Sequence, residues 1–195
     1  MLTIVWDVDD VLNDLMQQWF THCWLKKQSE CQLSYRQLTS NPPHAVLGIS
    51  REEYLGSLDE FRKTQRAREM KPNGSVLEWM KQHGDGFRHV ALTARPLDSA
   101  PNVAEWVMRH FGAWIRCIGF VHTRENDQFP PYDRTKGEFL DWIKCGDIMV
   151  DDSSENILQA QSRGLKTLLY PQPWNDSLLS VEGLLDDLTN MAVSS

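Results

Sequence analysis

A short, mostly apolar run closed by carboxylates occurs twice in this chain, and it constrains the fold more than any other feature. Leu2 to Trp6 ends at Asp7-Val8-Asp9, and Asp147 to Val150 ends at Asp151-Asp152. Each reads as a buried strand meeting a polar edge. Three further runs read as strands: Phe87 to Leu92, which stops at Thr93-Ala94-Arg95-Pro96, then Ile115 to Val121, and Leu165 to Tyr170.

Helical patterns separate these runs. Val11 to Lys27 carries Leu12, Leu15, Met16, Trp19, Phe20, Cys23 and Trp24 at helical spacing. Ser75 to His83, Pro101 to Phe111, Thr135 to Ile143 and Ser153 to Ser162 read as helices, and Lys71-Pro72-Asn73-Gly74 as a turn. A polar loop is expected after the third strand, ending in Phe129-Pro130-Pro131-Tyr132. The tail from Asn175 onward is expected to be helical and to take no part in the chemistry. Strands alternating with helices predict an α/β fold with a parallel sheet. Ligands of such sheets sit at the C-terminal strand ends, where Asp7, Asp9, Thr93, Asp151 and Asp152 are expected.

Carboxylates two apart on extended chain point the same way, so Asp7 and Asp9 are expected to repel each other unless a cation or proton is shared. Magnesium suits such a site, because it takes hard oxygen ligands and keeps waters that a phosphate can replace. A Thr hydroxyl at a strand end, with the backbone N–H groups of Thr93-Ala94, can hold a phosphoryl oxygen. Lys136 supplies a point charge against phosphate and carboxylates alike. Singly, each residue reads as a strand-end cap, a solvated lysine or a polar turn. The order D-x-D, Thr, Lys, D-D, each at a strand–helix boundary, points to one site.

Composition narrows the function. The chain has 195 residues with 41% hydrophobic, enough for a sizeable core. Its formal charge is −7, and no basic residue follows Lys166. An acidic chain is a poor clamp for polymeric nucleic acid, yet it can bind a small phosphorylated partner. No apolar run approaches the roughly 20 residues of a membrane span. Cys23, Cys31, Cys117 and Cys145 form no C-x-x-C pair, which predicts free thiols in a cytoplasmic protein.

These motifs resemble the haloacid dehalogenase-like (HAD) superfamily over residues 2–170. They stand here as Ile4-Val5-Trp6-Asp7-Val8-Asp9-Asp10-Val11-Leu12, Ala91-Leu92-Thr93-Ala94-Arg95, Lys136, and Met149-Val150-Asp151-Asp152. The resemblance implies a Rossmann-like sheet of about five strands in order 3-2-1-4-5, and Mg2+-dependent phosphoryl transfer through an aspartyl-phosphate. Carried over, Asp7 is the nucleophile. Asp9 is the acid and base, and its backbone carbonyl also binds metal. Thr93, Ala94 and Lys136 hold the phosphoryl group. Asp7, Asp9, Asp151 and Asp152 make the metal site.

Far more chain separates Asp7 from Thr93 than a strand–helix–strand crossover needs. Residues 13–71 are therefore expected to form a small helical cap, inserted into a core of residues 1–12 and 72–195. Ser50 and Glu53 resemble a capping box within it. Arg62, Lys63, Arg66, Arg68 and Lys71 face only Glu69 in charge; they read as a solvated face, or as a wall that attracts an anion. Trp19, Phe20 and Trp24 read as core packing, or as a base-stacking surface if any faces the cleft. The pattern Asp7, Asp9, Val11, Asp14 is similar to that of the small 5′(3′)-deoxyribonucleotidases, which usually carry Gly where this chain has Asp10.

The sequence thus predicts a phosphomonoesterase, with nucleoside monophosphates or sugar phosphates as candidate substrates. The alternative is a non-catalytic phospholigand-binding protein on the same fold. Oligomeric state is left open.

Overall fold

The computed structural model describes residues 1–121, 130 and 132–193. Most of the polar loop expected before Tyr132 lies outside the described residues. Five strands form one sheet: β1 (Thr3–Trp6), β2 (Arg88–Thr93), β3 (Ile115–Phe120), β4 (Ile148–Asp151) and β5 (Lys166–Leu169). Their order is β3-β2-β1-β4-β5 and every neighbouring pair is parallel, as expected. All four residues of β1 are buried, because a central parallel strand is covered on both faces.

Alternation along β1 divides the core. Ile4 and Trp6 join the cluster under helices Gly74–His83, Ala100–Phe111 and Val181–Val193. Val5 points the other way, into the cluster with Phe139 and Leu140 of helix Lys136–Ile143 and Ala160 of helix Ser154–Gln161. Gly146, just before β4, has φ +129°, and a Cβ there would meet Val5 Cγ2 at 2.8 Å. Only glycine meets both demands, and the close approach lets β4 dock beside β1.

A second, smaller core lies between β1 and β2 in sequence. Helices Leu15–Trp19, Leu25–Lys27, His44–Leu47, Arg51–Arg62 and Gln65–Arg68 pack around Trp19, Phe20, Trp24, Tyr54, Leu58 and Phe61. Trp19, Phe20 and Trp24 are all buried there, so the aromatic stripe is core packing rather than a stacking surface. Ser50 Oγ accepts from Glu53 N at 3.1 Å and caps the longest of these helices. The chain leaves for this region and returns from it at one place. Asn13 pairs with Pro72 as an isolated antiparallel bridge, and Asn73 N donates to Leu12 O at 2.8 Å.

The helix expected from Val11 starts later, at Leu15. Residues Val8–Leu12 form a π turn, closed by Asn13 N donating to Val8 O at 3.2 Å. Within it Asp10 has φ +61°, a left-handed conformation that Asp tolerates better than most residues.

Candidate active site

The turn after β1, the end of β2, the start of helix Lys136–Ile143 and the end of β4 meet at the C-terminal edge of the sheet. Register brings them together: Trp6 sits opposite Ala91 on one side and Val150 on the other. Asp7, Thr93 and Asp151 therefore emerge side by side.

Lys136 is the hub. Its Nζ lies 2.6 Å from Asp7 Oδ1 and 2.7 Å from Asp151 Oδ2, and the side chain is 2% exposed. Thr135 caps the helix that begins at this lysine, accepting from Glu138 N at 3.1 Å. Asp151 is further held by Ser153 N at 2.9 Å and Asn156 Nδ2 at 3.0 Å. Asp7, Asp151 and Asp152 each bring a carboxylate oxygen into a group spanning no more than 4.8 Å.

Electrostatics follow from this crowding. Burial first, then Asp151 and Asp152, push the Asp7 carboxyl well above its ordinary range, against the pull of Lys136. Burial, with Asp151 and Asp10 nearby, pushes Asp152 up to about 7. Burial alone would lower Lys136, but Asp151 and Asp7 outweigh it, so the lysine stays firmly protonated. Three carboxylates thus face one ammonium. The donor set is all oxygen, dense and short of positive charge. It fits a hard divalent cation such as Mg2+, which would sit among Asp7, Asp151 and Asp152.

Asp9 takes a different environment. Arg95 Nε donates to both its oxygens, at 2.7 and 2.9 Å, and Arg95 Nη2 also meets Oδ1. Arg62 Nη2 lies 3.3 Å from Oδ2, and Asn13 Nδ2 donates to Oδ1 at 3.2 Å. Burial pushes Asp9 up, yet Arg95, with Arg62 and Asn13, overrides it and holds the carboxyl at about 2. Arg62 also pairs with Asp59 at 3.0 Å. Of the basic segment only Arg62 reaches the site; Lys63, Arg66, Arg68 and Lys71 are exposed, as a solvated face should be.

A cavity of about 180 Å³ opens beside these groups. Asp7, Asp9, Thr93, Ala94 and Lys136 line its sheet side, while Leu15, Met16, Tyr54, Leu58 and Arg62 line the side made by the helical segment. Thr93 Oγ1 accepts from Arg95 N at 3.3 Å. Asp10 also borders the cavity, but its Oδ1 accepts from Met16 N at 2.8 Å, so its carboxylate serves the start of the next helix. Burial, then Asp9, push Asp10 well above the ordinary carboxylate range. Asp14 lines a separate cleft with His22 and Lys71 rather than this one.

Several residues here escaped sequence reading. Arg95 stood inside a quoted motif without a role, Arg62 stood in a segment read either as a solvated face or as a wall that attracts an anion, and Asn13 and Asn156 carried no signal. The tail expected to be uninvolved touches the site as well. Asn175 Nδ2 donates to Asp152 O at 2.8 Å, and Trp174, which immediately precedes that tail, donates through Nε1 to Asp152 Oδ2 at 2.7 Å. Among the described residues, no helix is long and apolar enough to cross a membrane.

No family model matches the sequence, and no curated protein matches it. Solved structures do match over nearly the whole chain. A haloacid dehalogenase-like family hydrolase from Streptococcus pneumoniae superposes with a TM-score of 0.62 at 14% identity, covering 95% of this chain and 90% of its own. A HAD-superfamily hydrolase of subfamily IA from Geobacter sulfurreducens gives 0.56 at 14%, covering 97% and 96%. YfnB from Bacillus subtilis, whose structure was solved bound to magnesium, gives 0.57 at 14%, covering 98% of each chain. The chain has the Rossmann-like fold of the haloacid dehalogenase-like hydrolases.

Proposed function

We propose that this chain is a Mg2+-dependent phosphomonoester hydrolase that works through an aspartyl-phosphate on Asp7. The observation that carries the reading is the placement of Lys136 between Asp7 and Asp151, with Asp152 adjoining and Thr93 on the next strand. A non-catalytic phospholigand-binding protein has no need of a nucleophile, a charge hub and a three-carboxylate group in one place.

In this reading an Asp7 oxygen attacks phosphorus and the bond to the leaving oxygen breaks. Water then attacks the same phosphorus, the bond to Asp7 breaks, and inorganic phosphate departs. Lys136, the Thr93 hydroxyl and the Ala94 backbone hold the equatorial phosphoryl oxygens. Asp7, the Asp9 carbonyl, Asp151 and Asp152 would hold Mg2+, which offsets negative charge on the transferring group. Asp9 gives a proton to the leaving oxygen and later takes one from water. That role requires Arg95 and Arg62 to loosen their hold, since the paired carboxyl stays ionised at neutral pH.

Residues 13–71 act as a cap that excludes water and selects the substrate. The substrate is a small phosphorylated metabolite. Resemblance around Asp7, Asp9, Val11 and Asp14 supports nucleoside monophosphates. The burial of Trp19, Phe20 and Trp24 away from the cavity favours a leaving group without a base, such as a sugar phosphate. Assay of a generic aryl phosphate with and without Mg2+, followed by a panel of nucleoside and sugar phosphates, tests the reading. Turnover only with Mg2+ is expected. No turnover of any phosphomonoester with any divalent metal would sink it.

A further inference from the structure

The loop that follows β5 is tied to both acidic motifs by side chains that the proposed reaction does not use. Trp174 Nε1 donates to Asp152 Oδ2 at 2.7 Å. Asn175 Nδ2 donates to the backbone carbonyls of Asp152 and Tyr170, each at 2.8 Å. Gln172 Nε2 donates to the Asp10 carbonyl at 2.6 Å, and its Oε1 accepts from Tyr35 Oη at 2.9 Å. The Tyr35 and Trp174 rings meet edge-on with centroids 6.2 Å apart, and both pack against the smaller core. One loop therefore joins the helical segment to the turn after β1 and the end of β4.

The two acidic residues that end β4 are bonded differently. Asp151 spends both oxygens on protein donors: Lys136 on one, Ser153 N and Asn156 on the other. Asp152 gives only Oδ2 to Trp174, and its Oδ1 has no hydrogen-bond partner among the described residues. An indole N–H donates only, so it fixes a carboxylate rotamer without competing for a cation.

We propose that Trp174 is a positioning residue: its indole N–H pins one oxygen of Asp152 and so presents the other to the divalent cation. The proposal rests on the reading of Asp152 as a cation ligand. A carboxylate held in advance binds metal more tightly than one that must first be ordered, and partners that orient metal ligands are typically worth about 10–100-fold in affinity. The aromatic body of Trp174 packs on Tyr35 whatever the N–H does, so Trp174→Phe separates packing from positioning.

The test is calorimetric titration of Mg2+ into the full chain without substrate, with circular dichroism and an unfolding midpoint in EDTA as checks on the fold. Trp174→Phe is expected to keep the fold and the EDTA midpoint while weakening Mg2+ binding about 10–100-fold. Unchanged affinity in a folded Trp174→Phe overturns the positioning role alone. No Mg2+ binding by the wild-type chain overturns the cation assignment and this role with it. If Trp174→Phe does not fold, Trp174→Met carries the test, because it too removes the indole N–H donor while keeping a flexible apolar side chain against Tyr35. Weaker Mg2+ binding by that variant supports the proposal and unchanged binding overturns it.

Discussion

Arg95 grips Asp9 through both carboxylate oxygens, with Nε 2.7 and 2.9 Å away. The pair joins the end of β2 to the turn after β1 and sets the charge state of the proposed acid. Carbon-detected NMR titration should place the Asp9 carboxyl at about 2 in the wild-type chain. Arg95→Met should raise it above the ordinary 3.8, because burial would then be opposed mainly by Arg62. The folded value lies below the unfolded one, so the stabilisation is present above pH 3.8 and is lost as the pH falls toward 2. It amounts to roughly 2 kcal/mol. An Asp9 titration that does not move in Arg95→Met would contradict the pairing.

Lys136 is buried between Asp7 and Asp151, so replacing it leaves crowded carboxylates without their counter-charge. Lys136→Met should destabilise the chain by about 3 kcal/mol in EDTA, a typical cost of breaking a buried pair. Added Mg2+ should restore part of that loss, since it supplies the missing positive charge. Urea denaturation in EDTA and in Mg2+ measures both. Equal stability of variant and wild type in EDTA would contradict the hub role.

His89 predicts an acid-sensitive core away from the site. Its Nδ1 accepts from Trp6 Nε1 at 3.0 Å and its Nε2 faces Gly84 O at 2.9 Å, which suits the neutral ring. Burial lowers its pKa below the ordinary 6.5, against smaller upward pulls from Gly84 and Asp85. The folded ring resists protonation, so its contribution is complete above pH 6.5 and falls as the pH drops through that value. His89→Phe should cost about 1–3 kcal/mol at pH 8, since the Trp6 indole N–H loses its partner. The variant should also lose less stability than wild type between pH 8 and pH 5. Parallel pH profiles for the two would refute this.

Much of the sheet was legible in sequence because buried parallel strands read as apolar runs, and the polar residues closing them fall at one edge. Asp7, Thr93, Asp151 and Asp152 could be singled out for that reason, and Lys136 by its place at the start of the helix before β4. The start of the first helix was not legible. It depends on the left-handed backbone at Asp10 and the π turn around it, which periodicity does not encode. Nor was the bonding of Asp9. Arg62 and Arg95 are distant in sequence, and nothing local marks either arginine as its partner. Trp174 illustrates the same limit, since the loop after β5 carries no motif and reaches Asp152 only once the chain has folded.

The central claim is that Asp7 becomes covalently phosphorylated. Rapid acid quench of the enzyme turning over a phosphomonoester labelled on phosphorus, followed by peptide mapping, tests it most directly. The account predicts a hydroxylamine-sensitive acyl-phosphate on the peptide containing Asp7, absent in Asp7→Asn and absent without Mg2+. Label on another residue, or full turnover by Asp7→Asn, would contradict it.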